Sequence, residues 1–245
     1  MKNKIMPGHP FGLIFMIWIT GASLRAEAQK LPLSQYGLPV VNQASLYSQT
    51  LVGHPEKQMQ MIRATKNIRF DLRYATTNNF THERLYPDRL RETFLRRPVA
   101  LALDSVVNDL EALGLGILIF DAYRPYYITV KLWEKERDDR YAADPAKGSG
   151  HNRGIAVDLT LFDLKTGHPL EMPTGFDNFT DSAHQDFMRL SESAIRNRRL
   201  LKTAMENRGF IALSTEWWHF TWPNAAAFEV LDLSFDDLKK LTVKR

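Results

Sequence analysis

The chain has 245 residues, 44% of them hydrophobic, 11% aromatic and 24% charged, which provides apolar side chains for one sizeable core and excludes a largely disordered chain. Its formal charge of +4 is too small to argue for a nucleic-acid partner, and the basic stretches Arg89–Pro98 and Arg196–Lys202 are expected to be solvated helix faces with surface ion pairs. There is no cysteine, so disulfides, thiolate metal ligands, a cysteine nucleophile and a lipid-modified cysteine are all excluded.

Lys2 and Lys4 precede an apolar run from Phe11 to Thr20, and Ala26 and Ala28 supply the small residues of a cleavage site after Ala28. That order predicts a secretory signal peptide over residues 1–28 and export to a periplasm, where a protein without disulfides is ordinary. The apolar run is shorter than the roughly 20 residues of a spanning helix, so no stable membrane insertion is expected after cleavage. Removing Lys2, Lys4 and Arg25 together with Glu27 lowers the net charge to +2.

Residues 29–60, broken by Pro32, Pro39 and Pro55, are expected to form an irregular N-terminal arm on a domain spanning residues 61–245. Ile68, Phe70, Leu72 and Tyr74 alternate and predict a strand in the stretch Ile68–Phe80. Leu103, Val106, Val107, Leu110 and Leu113 have helical spacing, with a stop at Gly114. A buried strand in Gly116–Pro125 and a helix from Tyr127 to Arg140 follow. Val157–Phe162 is another strand and Ser191–Asn207 another helix, closed by Gly209. "GFIAL" and "STEWWHFTW" predict a hairpin or two neighbouring strands. Strands and helices do not alternate regularly, which implies a single α+β domain with helices packed on a mainly antiparallel sheet.

Within "GSGHNRGIAVDLTLF", Ile155, Val157, Leu159 and Leu161 take one strand face while Ala156, Asp158 and Thr160 take the other. A carboxylate at Asp158 must be paired, hydrogen-bonded or bound to a cation, because burying it bare is costly. His151 just precedes the strand in a loop with Gly148, Gly150 and Gly154, so the two side chains can converge; a structural His–Asp pair has the same pattern. In "STEWWHF", Glu216 and His219 are three positions apart. A third ligand beside a carboxylate suits a catalytic zinc site, in which three protein ligands leave one position for water and a nearby base takes its proton. Regular strand geometry separates Glu216 from His219, so a turn or bulge is expected between them. In "DAYRP", Arg124 at a strand end can offer a forked donor to a developing oxyanion. His54, His82, His168 and His184 lie in polar segments and are expected at the surface.

Taken together, "RYATTNNF", "DAYRP", "SGHNRGIAVDLTL", "PTGFDNF", "NRRLLKTAMENRGF" and "EWWH" resemble the zinc D-alanyl-D-alanine dipeptidases, the group that includes the vancomycin-resistance dipeptidases, with a Hedgehog/D,D-peptidase-like fold. The resemblance runs from about Phe70 to Trp222. It implies one zinc per chain on His151, Asp158 and His219, with Glu216 as general base and then acid. It implies that Arg124 stabilises the tetrahedral oxyanion, that Ser149 and Tyr74 line the dipeptide pocket, and that Asp177 meets the free ammonium group of the substrate. The implied reaction is hydrolysis of the small dipeptide D-Ala-D-Ala. A zinc D,D-carboxypeptidase acting on peptidoglycan stem peptides and a catalytically silent wall-binding module are the alternatives. Asp177 separates the first alternative, since a longer substrate has no ammonium there, and Glu216 with Arg124 separates the second. The signal peptide departs from the resistance enzymes, which act on a cytoplasmic pool, and favours recycling of D-alanine as nutrient. Oligomeric state has no sequence signal. N-terminal sequencing of protein recovered from a periplasmic extract should begin at Gln29; an intact Met1 in the cytosol refutes export.

Overall fold

Five strands form the central sheet of the computed structural model, which describes Met1, residues 30–138 and residues 142–243. Apart from Met1, the expected signal peptide and its cleavage site lie outside the described residues. The chain forms two compact units, Met1–Lys30 and Leu31–Arg245, and every element among the described residues belongs to the second. In chain order these are β1 (Val40–Val41), α1 (Ala44–Thr50), β2 (Met59–Arg63), β3 (Ile68–Phe70), β4 (Glu92–Arg96), α2 (Arg97–Glu111), β5 (Leu115–Asp121) and α3 (Tyr126–Lys135). Then come α4 (Gly150–Arg153), β6 (Ala156–Asp163), α5 (Glu192–Glu206), β7 (Ile211–Ala212), β8 (His219–Thr221), β9 (Val230–Leu231) and α6 (Phe235–Val243).

The central order is β3-β5-β6-β8-β7, with β3 and β5 parallel and every other neighbour antiparallel. This is the α+β arrangement with a mainly antiparallel sheet that the sequence implied. The apolar positions of α2 that repeat at helical spacing, Leu103, Val106, Val107 and Leu110, are all buried, and the helix packs on β5. The α5 helix begins at Ser191, whose hydroxyl accepts the Ala194 amide at 3.1 Å, and packs on β6 and α2. β6 is buried on both faces, which explains its near-continuous apolar run.

Three local expectations differ from the structure. The strand at Ile68 ends at Phe70, and Tyr74 sits on a 3-10 turn over Arg73–Ala75. The Tyr74 carbonyl accepts the amides of Leu85 and Tyr86, both at 2.8 Å, so it bonds to a following loop in place of the sheet. Alternation alone does not separate these cases. The N-terminal arm is not irregular throughout: α1 buries Leu46 and Tyr47, and the Tyr47 hydroxyl accepts the Met59 amide at 2.6 Å. The helix after Pro125 ends at Lys135, where Glu136 turns to extended backbone.

One register matters most for the site. Asp121 on β5 pairs with Asp158 on β6, which pairs with His219 on β8, so three adjacent strands place these residues in one row. A register shift after Ile119 precedes Asp121. Behind the row, the fully buried Arg96 donates to the carbonyls of Arg153 at 2.8 Å, Glu229 at 3.0 Å and Lys57. Its own amide donates to the Gly154 carbonyl at 2.8 Å, so the end of β4 is fastened to the end of α4. Arg96→Ala would leave these half-buried carbonyls without that donor, and should lower unfolding free energy in urea by about 3–5 kcal/mol.

Candidate active site

The segment Ser149–Gly154 turns the chain sharply into β6. The Ser149 hydroxyl accepts the Asn152 amide at 3.2 Å, and the Asn152 side-chain oxygen accepts the Ser149 amide at 3.0 Å. Asn152 also donates its side-chain amide to the Arg124 carbonyl at 2.9 Å and to Thr129 Oγ1 at 2.8 Å. Gly154 closes α4 in a left-handed conformation at φ +70°, where a Cβ would lie 2.6 Å from Met59 Cε. This fastening holds His151 on the inner side of α4. Its Nδ1 donates to the Ala122 carbonyl at 2.7 Å, which fixes the tautomer and leaves the Nε2 lone pair directed at β6 and β8.

His151 Nε2 lies 3.3 Å from His219 Nδ1 and 3.4 Å from Asp158 Oδ2, and His219 Nδ1 lies 2.9 Å from Asp158 Oδ1. Among the described residues, these three supply one donor atom each within 4.8 Å of one another. Burial, Arg124 and the neighbouring His219 hold His151 well below the usual histidine range. His219 is lowered as well, first by burial. Burial and the facing Asp121 raise Asp158 well above the usual carboxylate range. All three shifts share their largest cause: burial, which disfavours the charged form of each group. Neutral imidazoles and a carboxylate in need of a counter-ion are the donor forms that a divalent ion takes, so the residues fit a metal.

The remaining expected residues surround this cluster. Glu216 lies in the turn between β7 and β8, which the structure inserts where a regular strand would have separated it from His219. Its Oε2 is 4.0 Å from His219 Nδ1. Burial pushes Glu216 up to about 7, with His219 opposing and Asp158 adding to the shift. Its turn is held by Trp217, whose indole donates to Thr174 Oγ1 at 2.9 Å, and by the Trp218 carbonyl, which accepts the Leu159 amide at 3.1 Å. Arg124 donates through Nε at 2.9 Å and Nη2 at 2.7 Å to the same oxygen of Asp121, and its guanidinium lies over the Tyr74 ring at 5.0 Å. Burial works against its charge, but Asp121, Tyr74, Tyr86 and Asp158 together outweigh that and hold Arg124 well above its usual range. Asp177 sits at φ +58°, with Oδ2 3.5 Å from the Tyr74 hydroxyl and 3.4 Å from the Phe80 amide. Burial and Asp158 push it up to about 7.

Tyr74, Arg124, Ser149, His151, Asp158, Asp177, Glu216 and His219 all line one cavity of about 290 Å³, together with Phe179, Leu213 and Trp218. Every candidate site residue read from the sequence therefore reaches the same space. His54, His82 and His168 are exposed and His184 is half-buried. Sequence reasoning missed Asp121 and Tyr86. Asp121 is fully buried and accepts the Tyr86 hydroxyl at 2.7 Å. The D-x-x-R spacing in "DAYRP" was the available signal for Asp121; Tyr86 carried none, being 35 positions away from its partner.

Residues 56–240 match a protein family described as D-ala-D-ala dipeptidase. The D-alanyl-D-alanine dipeptidase of Escherichia coli is 36% identical over 165 residues, covering 67% of this chain and 84% of that protein. Those of Enterococcus faecalis and Streptomyces coelicolor are 30% and 31% identical, covering 62% and 63% of this chain and 85% of each relative. Among solved structures, an LD-carboxypeptidase studied for peptidoglycan recognition aligns over 68% of this chain and 70% of its own, at 15% identity and a TM-score of 0.41.

The geometry makes metal retention the direct check on the cluster. Elemental analysis of the unaltered protein should find near-stoichiometric metal, and His219→Ala and His151→Ala should each lose most of it; full retention in either variant removes that residue from the ligand set.

Proposed function

This chain belongs to the D-ala-D-ala dipeptidase family, and from that premise we propose that its pocket holds one zinc ion on His151, Asp158 and His219 and hydrolyses D-Ala-D-Ala to two molecules of D-alanine. The observation that carries the reading is the convergence of three donor atoms, an acidic group shifted toward neutrality and a buried guanidinium on one cavity of about 290 Å³.

Bound zinc polarises a carbonyl and lowers the pKa of a coordinated water to about 7. Glu216, at about 7 through burial, is suited to accept a proton from the attacking water and return it to the leaving amine near neutral pH. Arg124 has one guanidinium edge taken by Asp121, and the rest faces the cavity as a donor for the carbonyl oxygen as it becomes an oxyanion. Asp177, on the same cavity, is placed for the substrate ammonium, whose charge favours the ionised carboxylate that burial disfavours. Tyr74 and Ser149 complete the wall. Two carboxylates with separate tasks, one for the proton and one for the ammonium, favour a free dipeptide over a stem peptide, and the presence of Glu216 and Arg124 favours a catalyst over a silent binding module. Export with cleavage after Ala28 is part of the same proposal and gives the enzyme access to dipeptide released outside the cytoplasm, with recycling of D-alanine as its role.

Incubation of the purified protein with D-Ala-D-Ala, L-Ala-L-Ala and a wall pentapeptide should release D-alanine rapidly only from the first; release from the pentapeptide at equal efficiency would favour the carboxypeptidase. Glu216→Ala should keep its zinc and fold while kcat falls about 10²–10⁴-fold, and a near-native kcat would mean that another group activates the water. N-acetylation of the dipeptide removes the charge that Asp177 meets, so kcat/KM should drop more than about tenfold, given roughly 1.5–3 kcal/mol for a hydrogen bond to a charged group. In Asp177→Asn that ratio should narrow, mainly through loss on the free dipeptide; an unchanged ratio removes Asp177 from ammonium recognition.

A further inference from the structure

Arg124 is useful to the proposed reaction only if its free edge faces the cavity, and a long side chain does not hold one orientation unaided. Its orientation is set by Asp121, which has no solvent exposure. Both Nε and Nη2 of Arg124 donate to Asp121 Oδ2, at 2.9 and 2.7 Å, so one oxygen occupies one edge of the fork. The other oxygen, Oδ1, accepts the Ala122 amide at 2.9 Å and the Tyr86 hydroxyl at 2.7 Å. Tyr86 does not line the cavity. It comes from the loop before β4, and its buried ring meets Tyr74 edge-on at 5.7 Å and Phe235 of α6 at 5.0 Å. Burial and Asp121 keep the Tyr86 hydroxyl well above its usual range, so it remains a donor.

We propose that Tyr86 is a positioning residue for the dipeptidase reaction: through Asp121 it fixes the carboxylate plane that aims the Arg124 guanidinium at the reacting carbonyl. Arg124 itself does not serve as the reference for the carboxylate that aims it, and the Ala122 amide, adjacent in the chain, restrains Asp121 at Oδ1 only. The Tyr86 hydroxyl, arriving from a different part of the fold, supplies the second restraint on that oxygen. The same corner also presents the Ala122 carbonyl to His151 Nδ1 at 2.7 Å, so the ion-holding cluster and the oxyanion donor share one backbone reference. The oxyanion exists only near the transition state, so misaiming Arg124 lowers kcat and leaves ground-state binding nearly unchanged.

The inference rests on the dipeptidase reading for its kinetics but has a readout independent of turnover. Tyr86→Phe keeps both ring contacts and deletes only the hydroxyl. In zinc-loaded, ¹⁵N-labelled protein, Arg124 should give a slowly exchanging Nε–H signal, identified by its loss in Arg124→Lys, and Tyr86→Phe should speed its exchange about tenfold. With D-Ala-D-Ala, Tyr86→Phe should lower kcat about tenfold with KM within about twofold and zinc content unchanged, as expected for one hydrogen bond to a charged group. In an Arg124→Lys background, the same change should cost little further. An unchanged Nε–H exchange rate, or equal fold losses in the two backgrounds, overturns the role. If the unaltered protein releases no D-alanine, the dipeptidase reading fails and the exchange comparison still decides whether Tyr86 aims Arg124.

Discussion

Asp121 and Asp158 face each other across β5 and β6, both buried, and this pair of carboxylates is the constraint on which the site depends. Two like charges in a dry interior are unfavourable unless each has its own cation. Asp121 has Arg124, bound at 2.7 and 2.9 Å. Asp158 lies 3.4 and 2.9 Å from two imidazoles, and its carboxyl is raised first by burial and then by Asp121, against the pull of Arg124. A divalent ion held by Asp158, His151 and His219 would complete the balance. The proposed roles divide along the same line, with the ion serving Asp158 and the guanidinium serving Asp121, both directed at one substrate carbonyl.

The elements around this pair are arranged to keep it rigid. β6 is buried along its length and lies between β5 and β8, so the row Asp121, Asp158, His219 does not shift without disrupting the whole sheet. α4 has only four residues, too few to be stable alone, and it is held by its Ser149–Asn152 capping box, by the Asn152 contacts to Arg124 and Thr129, and by Arg96 behind it. Aromatic rings pack beside the cavity: Phe176 meets Tyr74, Phe120 and Trp218, and Tyr86 continues the chain of rings from Tyr74 to Phe235. These rings exclude water around the carboxylates, which is the cause of the raised values at Glu216 and Asp177. Desolvation thus suits Glu216 to the base role proposed for it, and would make a substrate ammonium a favourable partner for Asp177.

The sequence by itself determined the long elements and the chemistry of the ligand set. Periodicity located α2, β5, β6 and α5, because each has enough residues for its repeat to outweigh local noise. A carboxylate on an apolar strand, a histidine after a glycine turn, "EWWH" and "DAYRP" singled out His151, Asp158, Glu216, His219 and Arg124 as candidates, although a structural His–Asp pair has the same pattern. The resemblance assigned their roles and added Tyr74, Ser149 and Asp177, and all eight line the cavity. Tertiary structure decided what depends on long-range partners. The strand at Ile68 stops at Phe70 because loop residues Leu85 and Tyr86 claim the Tyr74 carbonyl. The N-terminal arm gains α1 because Leu46 and Tyr47 find a second apolar cluster with Met59, Phe94 and Leu238. Above all, Asp121 and Tyr86 acquired their place only when strand register set one carboxylate beside another and a hydroxyl 35 residues distant closed on it. A sequence records which side chains are costly to bury; only the folded chain fixes which neighbour offsets that cost.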